Sequence, residues 1–318
     1  MKLSVIIPFY NLERYARECL DSVVSAVRTL NGDFSVEVIC VDDGSTDATG
    51  RILDEYVGEG VGVGEEVVFR VIHQLNGGEG AARNAGLKAA TGDWITFLDG
   101  DDVWLDNMLT EAVRMILAHP SVEVAGFKFL PFNDGQHRPE PALATRGELV
   151  FNAADGIPSA AVLQLGVVPT FFRKDFLQRL HFSSLPLGAD RLFMAECLAM
   201  VGEVVMSDVV VYGYRIREGS MARAVWNARK IRSMIDFASG SLAAFVASGR
   251  KVGRGGSDYL MDVLTTVTAK KISRLREDRA EVVRYWFAAL AAVDPRFYSW
   301  CHRLRRFGYR IRFRTRGG

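Results

Sequence analysis

Short apolar runs alternate with amphipathic stretches along the first third of the chain. Four runs rich in β-branched residues predict buried strands over residues 4–10, 35–41, 67–72 and 94–98. Between them, apolar positions recur at helical spacing and predict helices over 13–30, 47–56 and 81–90. This alternation indicates an α/β fold with a Rossmann-like, mostly parallel sheet flanked by helices. In such sheets, ligands bind beyond the carboxyl ends of the strands.

The pattern changes twice after the first third. Residues 127–188 contain six prolines, which predicts strands and loops. From residue 222 onward the spacing becomes helical again, over 222–246, 258–275 and 277–292, with a glycine-rich break at 248–257. We therefore expect an N-terminal α/β domain over 1–215, a helical C-terminal region over 216–300 and a basic tail over 301–318.

Composition excludes several classes of protein. The chain has 318 residues, of which 49% are hydrophobic and 24% charged, which excludes a disordered chain, a collagen-like fibre and a disulfide-stapled mini-protein. No apolar run is long enough to span a membrane, and the N-terminal run is too short for a signal peptide. The four cysteines stand singly, as in a reduced cytoplasmic protein.

Charge is divided unevenly between the two ends of the chain. There are 16 Lys and Arg against 30 Asp and Glu up to Tyr214, and 23 against 8 from Arg215 onward. The segment 303–316 holds seven arginines interleaved with apolar residues. It could lie on an anionic membrane surface, pack on the acidic half of this chain or a neighbour, or bind nucleic acid. We favour a peripheral membrane contact at the inner face of the membrane and no nucleic acid, because no recognisable nucleic-acid-binding fold accompanies the segment.

Acidic clusters follow two of the predicted strands. Asp42 and Asp43 come after the second strand, and Asp99, Asp101 and Asp102 after the fourth. Carboxylates this close repel one another, and Mn²⁺ or Mg²⁺ bridging to substrate phosphates would relieve the repulsion. A solvated acidic turn that merely ends the strand explains the second cluster equally well.

The order of the motifs is more specific than any one of them. SVIIPFYN, VDDGSTD, QLNGGEGAARNAGL, TGDWITFLDGDD, GADRLFMAEC and YGYRIREGS follow one another along residues 1–220. In this the sequence resembles glycosyltransferase family 2, the inverting enzymes with the GT-A fold. The resemblance implies transfer of a sugar from a nucleoside diphosphate, most simply a UDP-sugar, to a hydroxyl of a saccharide or lipid-linked acceptor. Bacterial surface polysaccharide or lipopolysaccharide synthesis is the implied setting.

The same resemblance assigns roles to individual residues. Pro8, Tyr10 and Glu13 would border the base and ribose. Asp43 would accept a hydrogen bond from the base, while Asp42 is either part of this site or a turn cap. The residues implied to face the rest of the nucleotide-sugar are Gly78, Arg83, Asp99 and Arg217.

The remaining assignments concern the metal and the general base. Asp101 would hold Mn²⁺ or Mg²⁺, and Asp102 would share it. Asp190 would take the proton from the acceptor hydroxyl, although it could also be a plain helix cap. Two positions depart from the family pattern: Glu79-Gly80 replaces a small apolar residue and a serine, and Ala189 replaces a glutamate that helps to bind acceptor or sugar.

Two rival functions come from other classes. A dinucleotide-dependent oxidoreductase would need G-x-G-x-x-G after the first strand, where this chain has Pro8-Phe9-Tyr10-Asn11. A non-catalytic nucleotide- or sugar-binding module that keeps the fold finds support in Ala189 and in the altered Glu79-Gly80 loop. The sequence leaves open whether the protein forms a homodimer.

Overall fold

One large sheet forms the centre of the molecule. The computed structural model describes residues 1–30, 34–59, 67–141, 147–218, 226–275 and 277–293. Within these ranges the strands are β1 Lys2–Phe9, β2 Ser35–Asp42, β3 Val67–His73, β4 Trp94–Phe97, β5 Val103–Trp104, β6 Val124–Asn133, β7 Glu148–Asn152, β8 Thr170–Arg173 and β9 Glu203–Ile216. They are ordered β3-β2-β1-β4-β8-β6-β9-β5, and β7 also pairs with β9. The first four strands are parallel, as predicted.

Helices cover both faces of this sheet. They are α1 Ala16–Val27, α2 Thr49–Gly58, α3 Glu79–Ala89, α4 Met108–Ala118, α5 Ser159–Gln164, α6 Lys174–Leu177, α7 Ala189–Met200, α8 Ala228–Ser248, α9 Arg254–Asp262, α10 Thr268–Ser273 and α11 Arg279–Val293. The first three match the predicted helices to within a few residues. Helix α4 was not predicted. The α/β class with a helical C-terminal region is confirmed.

Alternation along β1 divides the core into two parts. Leu3, Val5 and Ile7 point to one face and pack with α1 and α4. Ile6 points to the other face and packs with residues of α3 and α7. All four side chains are fully buried. Because successive side chains of a strand point to opposite faces, an unbroken apolar run is what a strand covered on both sides requires.

The irregular middle of the chain completes the sheet. Strand β8 lies antiparallel between β4 and β6. Strand β9 runs parallel to β6 and pairs with β5 through Tyr212 and Gly213. This pairing brings the end of β9 beside the acidic loop after β4, although more than a hundred residues separate them in sequence.

The C-terminal helices pack on the face that carries α7. Helix α9 begins at Arg254, inside the predicted glycine-rich break, so that part of the prediction was wrong. A β-carbon on Gly256 would meet Val162 of α5, so the glycine allows the two helices to approach closely. A π-helical turn, Val263–Val267, follows α9, and the indole of Trp286 donates to the carbonyl of Leu264 at 2.6 Å.

The division into residues 1–215, 216–300 and 301–318 stays a prediction, and the arginine-rich tail lies outside the described residues. Among the helices of the described ranges, none is both long and apolar enough to cross a membrane.

Candidate active site

The rim of the predicted base pocket is tied together by hydrogen bonds. Pro8 is buried in β1, and Tyr10 just beyond it is 48% exposed. Asn11 adopts a positive φ of 53°, and its side-chain oxygen accepts from the amide of Thr46 at 2.8 Å. Glu13 accepts from the amide of Ala48 at 2.9 Å. The structure therefore brings Tyr10 and Glu13 next to the loop after β2, where the sequence placed the nucleotide.

The two aspartates after β2 have different surroundings. Asp43 accepts from the amides of Gly77 and Gly78, at 2.9 and 2.8 Å, and so holds the loop before α3. Asp42 caps its own turn by accepting from the amide of Ser45 at 3.0 Å.

His73, which no sequence motif connects with the site, links Asp42 to α2. Its two ring nitrogens lie 2.9 Å from Asp42 and 3.0 Å from Asp54. These hydrogen bonds raise the pKa of His73. The sequence could not predict these contacts, because the two partners of His73 lie 31 and 19 residues away from it.

Helix α3 begins directly at the site. Gly78 precedes it with a φ of 87°, a conformation that side chains other than glycine rarely adopt. A β-carbon on Gly80 would overlap the carbonyl of Ser183. Asn84 exchanges two hydrogen bonds, of 2.9 and 2.8 Å, with the backbone of Phe182. The start of α3 is therefore fixed against the segment that leads into α7.

Arg83 is the buried centre of this region. Its side chain is 2% exposed, and one nitrogen, Nη2, lies 2.6 Å from both Glu79 and Asp99. Burial lowers the pKa of Arg83, but Glu79, Asp99 and Asp190 together raise it above its ordinary value. The guanidinium also lies over the ring of Phe182, 5.3 Å from its centroid.

The three aspartates in the loop after β4 have different partners and different exposure. Asp99 contacts Arg83, and burial raises its pKa to about 7 against the opposing effect of that arginine. Asp102 is buried and accepts from the hydroxyl of Tyr212 and the amide of Arg215, each at 2.7 Å. Burial raises the pKa of Asp102 well above its usual range. Asp101 is 21% exposed, and its Oδ2 lies 2.6 Å from Nε of Arg217.

The end of β9 supplies two arginines with different roles. Arg215 is buried, donates to the backbone carbonyl of Asp101 and pairs with Glu18 at 2.7 Å. Its guanidinium lies 4.5 Å from the ring centroid of Phe132. Arg215 is therefore not a solvated surface charge. Arg217 is 20% exposed and meets Asp101 at the surface of the site.

Asp190 lies in the first turn of α7. The helix is capped by Gly188, whose φ is 81°, so the structure does not make Asp190 the cap. No described residue donates a hydrogen bond to the Asp190 carboxylate, which is half-buried. Ala189 is buried beside it.

The described part of the chain contains no group of three or more His, Cys, Asp and Glu side chains placed to hold a metal ion. A single carboxylate can still suffice, since Mg²⁺ usually binds one or two carboxylates together with substrate phosphates. Asp101 fits this arrangement, because its second oxygen accepts no hydrogen bond from a described residue. Both oxygens of Asp102 already accept one.

Comparison with known proteins gives relatives for much of the chain. Residues 4–157 match the family model described as glycosyl transferase family 2. Glycosyltransferase GlyA of Streptococcus pneumoniae is 27% identical over 74% of this chain, but the match spans only 33% of that protein. Glycosyltransferase GlyG of the same species is 27% identical over 79% of this chain and 82% of its own length.

Solved structures share the fold over nearly the whole chain. Staphylococcus aureus TarS, crystallised with UDP-GlcNAc, aligns over 92% of this chain and 80% of that one, with a TM-score of 0.61 and 22% identity. The mannosyltransferase PcManGT of Pyrobaculum calidifontis, solved with GDP-Man and Mn²⁺, aligns over 94% of this chain and 83% of that one, with a TM-score of 0.56 and 18% identity. Residues 4–157 thus match glycosyltransferase family 2, and the chain shares the overall fold of these solved structures.

Proposed function

We propose that this chain transfers a hexose, with inversion, from a nucleoside diphosphate sugar to a hydroxyl of a saccharide or lipid-linked acceptor. The observation that carries the proposal is the Asp190 carboxylate in the first turn of α7: it accepts no hydrogen bond from the described residues, and its charge is one of those that raise the pKa of Arg83. Arg83 in turn contacts Asp99 at 2.6 Å. A carboxylate that no described residue holds by a hydrogen bond is available to take the proton of an acceptor hydroxyl, as a general base must.

Inversion requires a direct displacement. The acceptor oxygen bonds to the anomeric carbon as the bond from that carbon to the diphosphate breaks, and the electron pair leaves with the diphosphate. Asp190 takes the proton of the attacking hydroxyl. Arg217, at the surface of the site, would turn its guanidinium toward the diphosphate oxygens, for which its planar donors are well suited.

In this proposal Asp101 binds a divalent cation. The oxygen of Asp101 that accepts no hydrogen bond from a described residue would hold Mn²⁺ or Mg²⁺ together with the diphosphate, whereas the two oxygens of Asp102 accept from Tyr212 and Arg215. The bound ion would offset the negative charge that develops on the leaving group. The Mn²⁺ bound in PcManGT supports the use of a divalent cation.

UDP is the nucleotide that we propose. The UDP-GlcNAc bound to TarS supports it, and the GDP-Man bound to PcManGT makes GDP the alternative to test. Pro8, Tyr10, Glu13 and Asp43 would line the base and ribose, and Gly78 would allow the loop to approach the nucleotide. Release of nucleotide from a panel of UDP- and GDP-sugars, measured with Mn²⁺, Mg²⁺ and EDTA, would identify the donor.

Asp190→Asn separates an enzyme from a binding module. We expect turnover to fall by about 10²–10⁴-fold, as for loss of a general base, while UDP binding stays unchanged. Asp175→Asn, also at the second position of a helix, is the matched control and should keep full turnover. Wild-type protein that binds UDP but never releases it from any donor and acceptor would favour the non-catalytic module.

A further inference from the structure

The first residue of α3 gives the site a carboxylate at its solvent-facing edge. Oε1 of Glu79 lies 2.6 Å from Nη2 of Arg83, and the same nitrogen lies 2.6 Å from Oδ1 of Asp99. The exposed fractions are 46% for Glu79, 2% for Arg83 and 24% for Asp99. One buried guanidinium thus holds two carboxylates from different elements, and Glu79 is the more accessible of the two.

Helix α7 adds the third carboxylate around Arg83. Asp190 acts on Arg83 through space, along with Glu79 and Asp99. The paired hydrogen bonds between Asn84 and the Phe182 backbone keep the starts of α3 and α7 together. Helix α7 itself has no other carboxylate in its first turn, where Ala189 precedes Asp190.

The charges around this space favour one class of ligand. Glu79 and Asp99 contact one guanidinium and Asp190 acts on it through space, so the group keeps a net negative charge even when Asp99, whose pKa burial raises to about 7, is protonated. Such a site accepts hydrogen bonds from hydroxyl groups and repels a further carboxylate. In addition, Nε and Nη1 of Arg83 are buried with no acceptor among the described residues. Buried donors without partners mark a place that a polar ligand or an ordered water completes.

We infer that Glu79 contacts the sugar of the donor and selects a neutral hexose, with free hydroxyls, over a uronic acid. This inference rests on the proposed function, since it assumes that the donor sugar lies between Arg83 and Asp190. Glu79 is a specificity-determining residue in this view, since it is the more exposed of the two carboxylates that contact Arg83.

The test compares binding of UDP, UDP-glucose and UDP-glucuronic acid, by calorimetry with Mn²⁺ present. Wild-type protein should bind UDP-glucose at least about tenfold more tightly than UDP-glucuronic acid. In Glu79→Gln that ratio should fall about tenfold, because the amide removes the repelling charge, while affinity for UDP stays within about twofold. Glu55→Gln is the matched control, because Glu55 has the same 46% exposure and also pairs with an arginine four residues away. Its ratio should equal that of the wild type.

The outcomes separate the two proposals. Unchanged UDP binding with an unchanged sugar ratio in Glu79→Gln would overturn the role of Glu79 and leave the proposed function standing. A wild-type preference for UDP-glucuronic acid would also overturn it. Failure of the wild-type protein to bind UDP would overturn the UDP-sugar donor, and the inference about Glu79 with it. Melting temperatures of the variants check that each one folds.

Discussion

Glu37 is a buried carboxylate near the N-terminal ends of β1 and β2, whereas the candidate site lies at their C-terminal ends. Its hydrogen bonds predict a measurable contribution to stability. Glu37 of β2 is 1% exposed and accepts hydrogen bonds from the hydroxyl of Ser4, the amide and hydroxyl of Thr91, and the amide of Gly92. Nζ of Lys2 lies 3.1 Å away. The carboxylate thereby joins β1, β2 and the turn before β4. Glu37→Gln removes the charge and places an amide donor among these donors.

The loss of stability expected for Glu37→Gln follows from the pKa of Glu37. Burial raises this pKa, but the hydrogen bonds from Ser4, Thr91 and Lys2 lower it more, from 4.5 to about 2. A depression of that size corresponds to about 3 kcal/mol of stability. Because the folded-state pKa is the lower one, the contribution is fully present above pH 4.5 and is lost as pH falls toward 2. At pH 3 about 1 kcal/mol should remain.

Urea unfolding measures this directly, followed by tryptophan fluorescence, to which the buried Trp94 and Trp104 contribute. Glu37→Gln should lower the free energy of unfolding by about 3 kcal/mol at pH 7 and by about 1 kcal/mol at pH 3. Glu55→Gln, on the surface of α2, should change it by about 0.5 kcal/mol or less. A loss below about 1 kcal/mol at pH 7, or a loss that is the same at both pH values, would refute the reasoning.

Three further predictions concern the site and the tail. Asp101→Ala should abolish the gain in UDP affinity that Mn²⁺ gives, as measured by calorimetry with and without EDTA. The exposed Asp155→Ala should keep that gain, and a full gain in Asp101→Ala would contradict the metal assignment. Gly80→Ala should cost about 1–3 kcal/mol in urea unfolding, because its β-carbon would overlap the carbonyl of Ser183. Gly58→Ala, which faces open space, is the control for it. Deleting residues 301–318 should abolish co-sedimentation with anionic vesicles, and unchanged co-sedimentation would show that the tail is not the membrane contact.

Local patterns were sufficient to predict the first half of the sheet. A strand that is covered on both faces needs a continuous apolar stretch, and residues 5–9 of β1 and 38–41 of β2 show one. The polar clusters that follow these strands had to meet at one edge, since parallel strands end together. The positions of Asp43 and Asp99 near the start of α3 therefore followed from the order of elements alone.

Long-range pairing could not be predicted in the same way. The contact of Arg217 with Asp101 joins residues 116 apart, and it depends on the register of β9 against β5 and β6. Burial of Arg215 depends on Phe132 and Glu18, which come from two other elements. Helix α9 begins among glycines, which disfavour helix in isolation. The helix forms there because the small size of glycine lets it pack closely on α5. In each case the deciding partner lies far away in sequence.

The position of β8 sets the smallest piece of this chain that can fold alone. The segment that matches the family model ends at residue 157, yet β8, at Thr170–Arg173, lies between β4 and β6. A fragment that stopped at 157 would leave the edges of both strands without hydrogen-bond partners, and such open edges invite aggregation. It would also lack β9 and α7, and so both Arg217 and Asp190. The segment recognised by sequence similarity is therefore smaller than the part of the chain that completes the sheet. Shortened versions of the protein have to extend at least through β9.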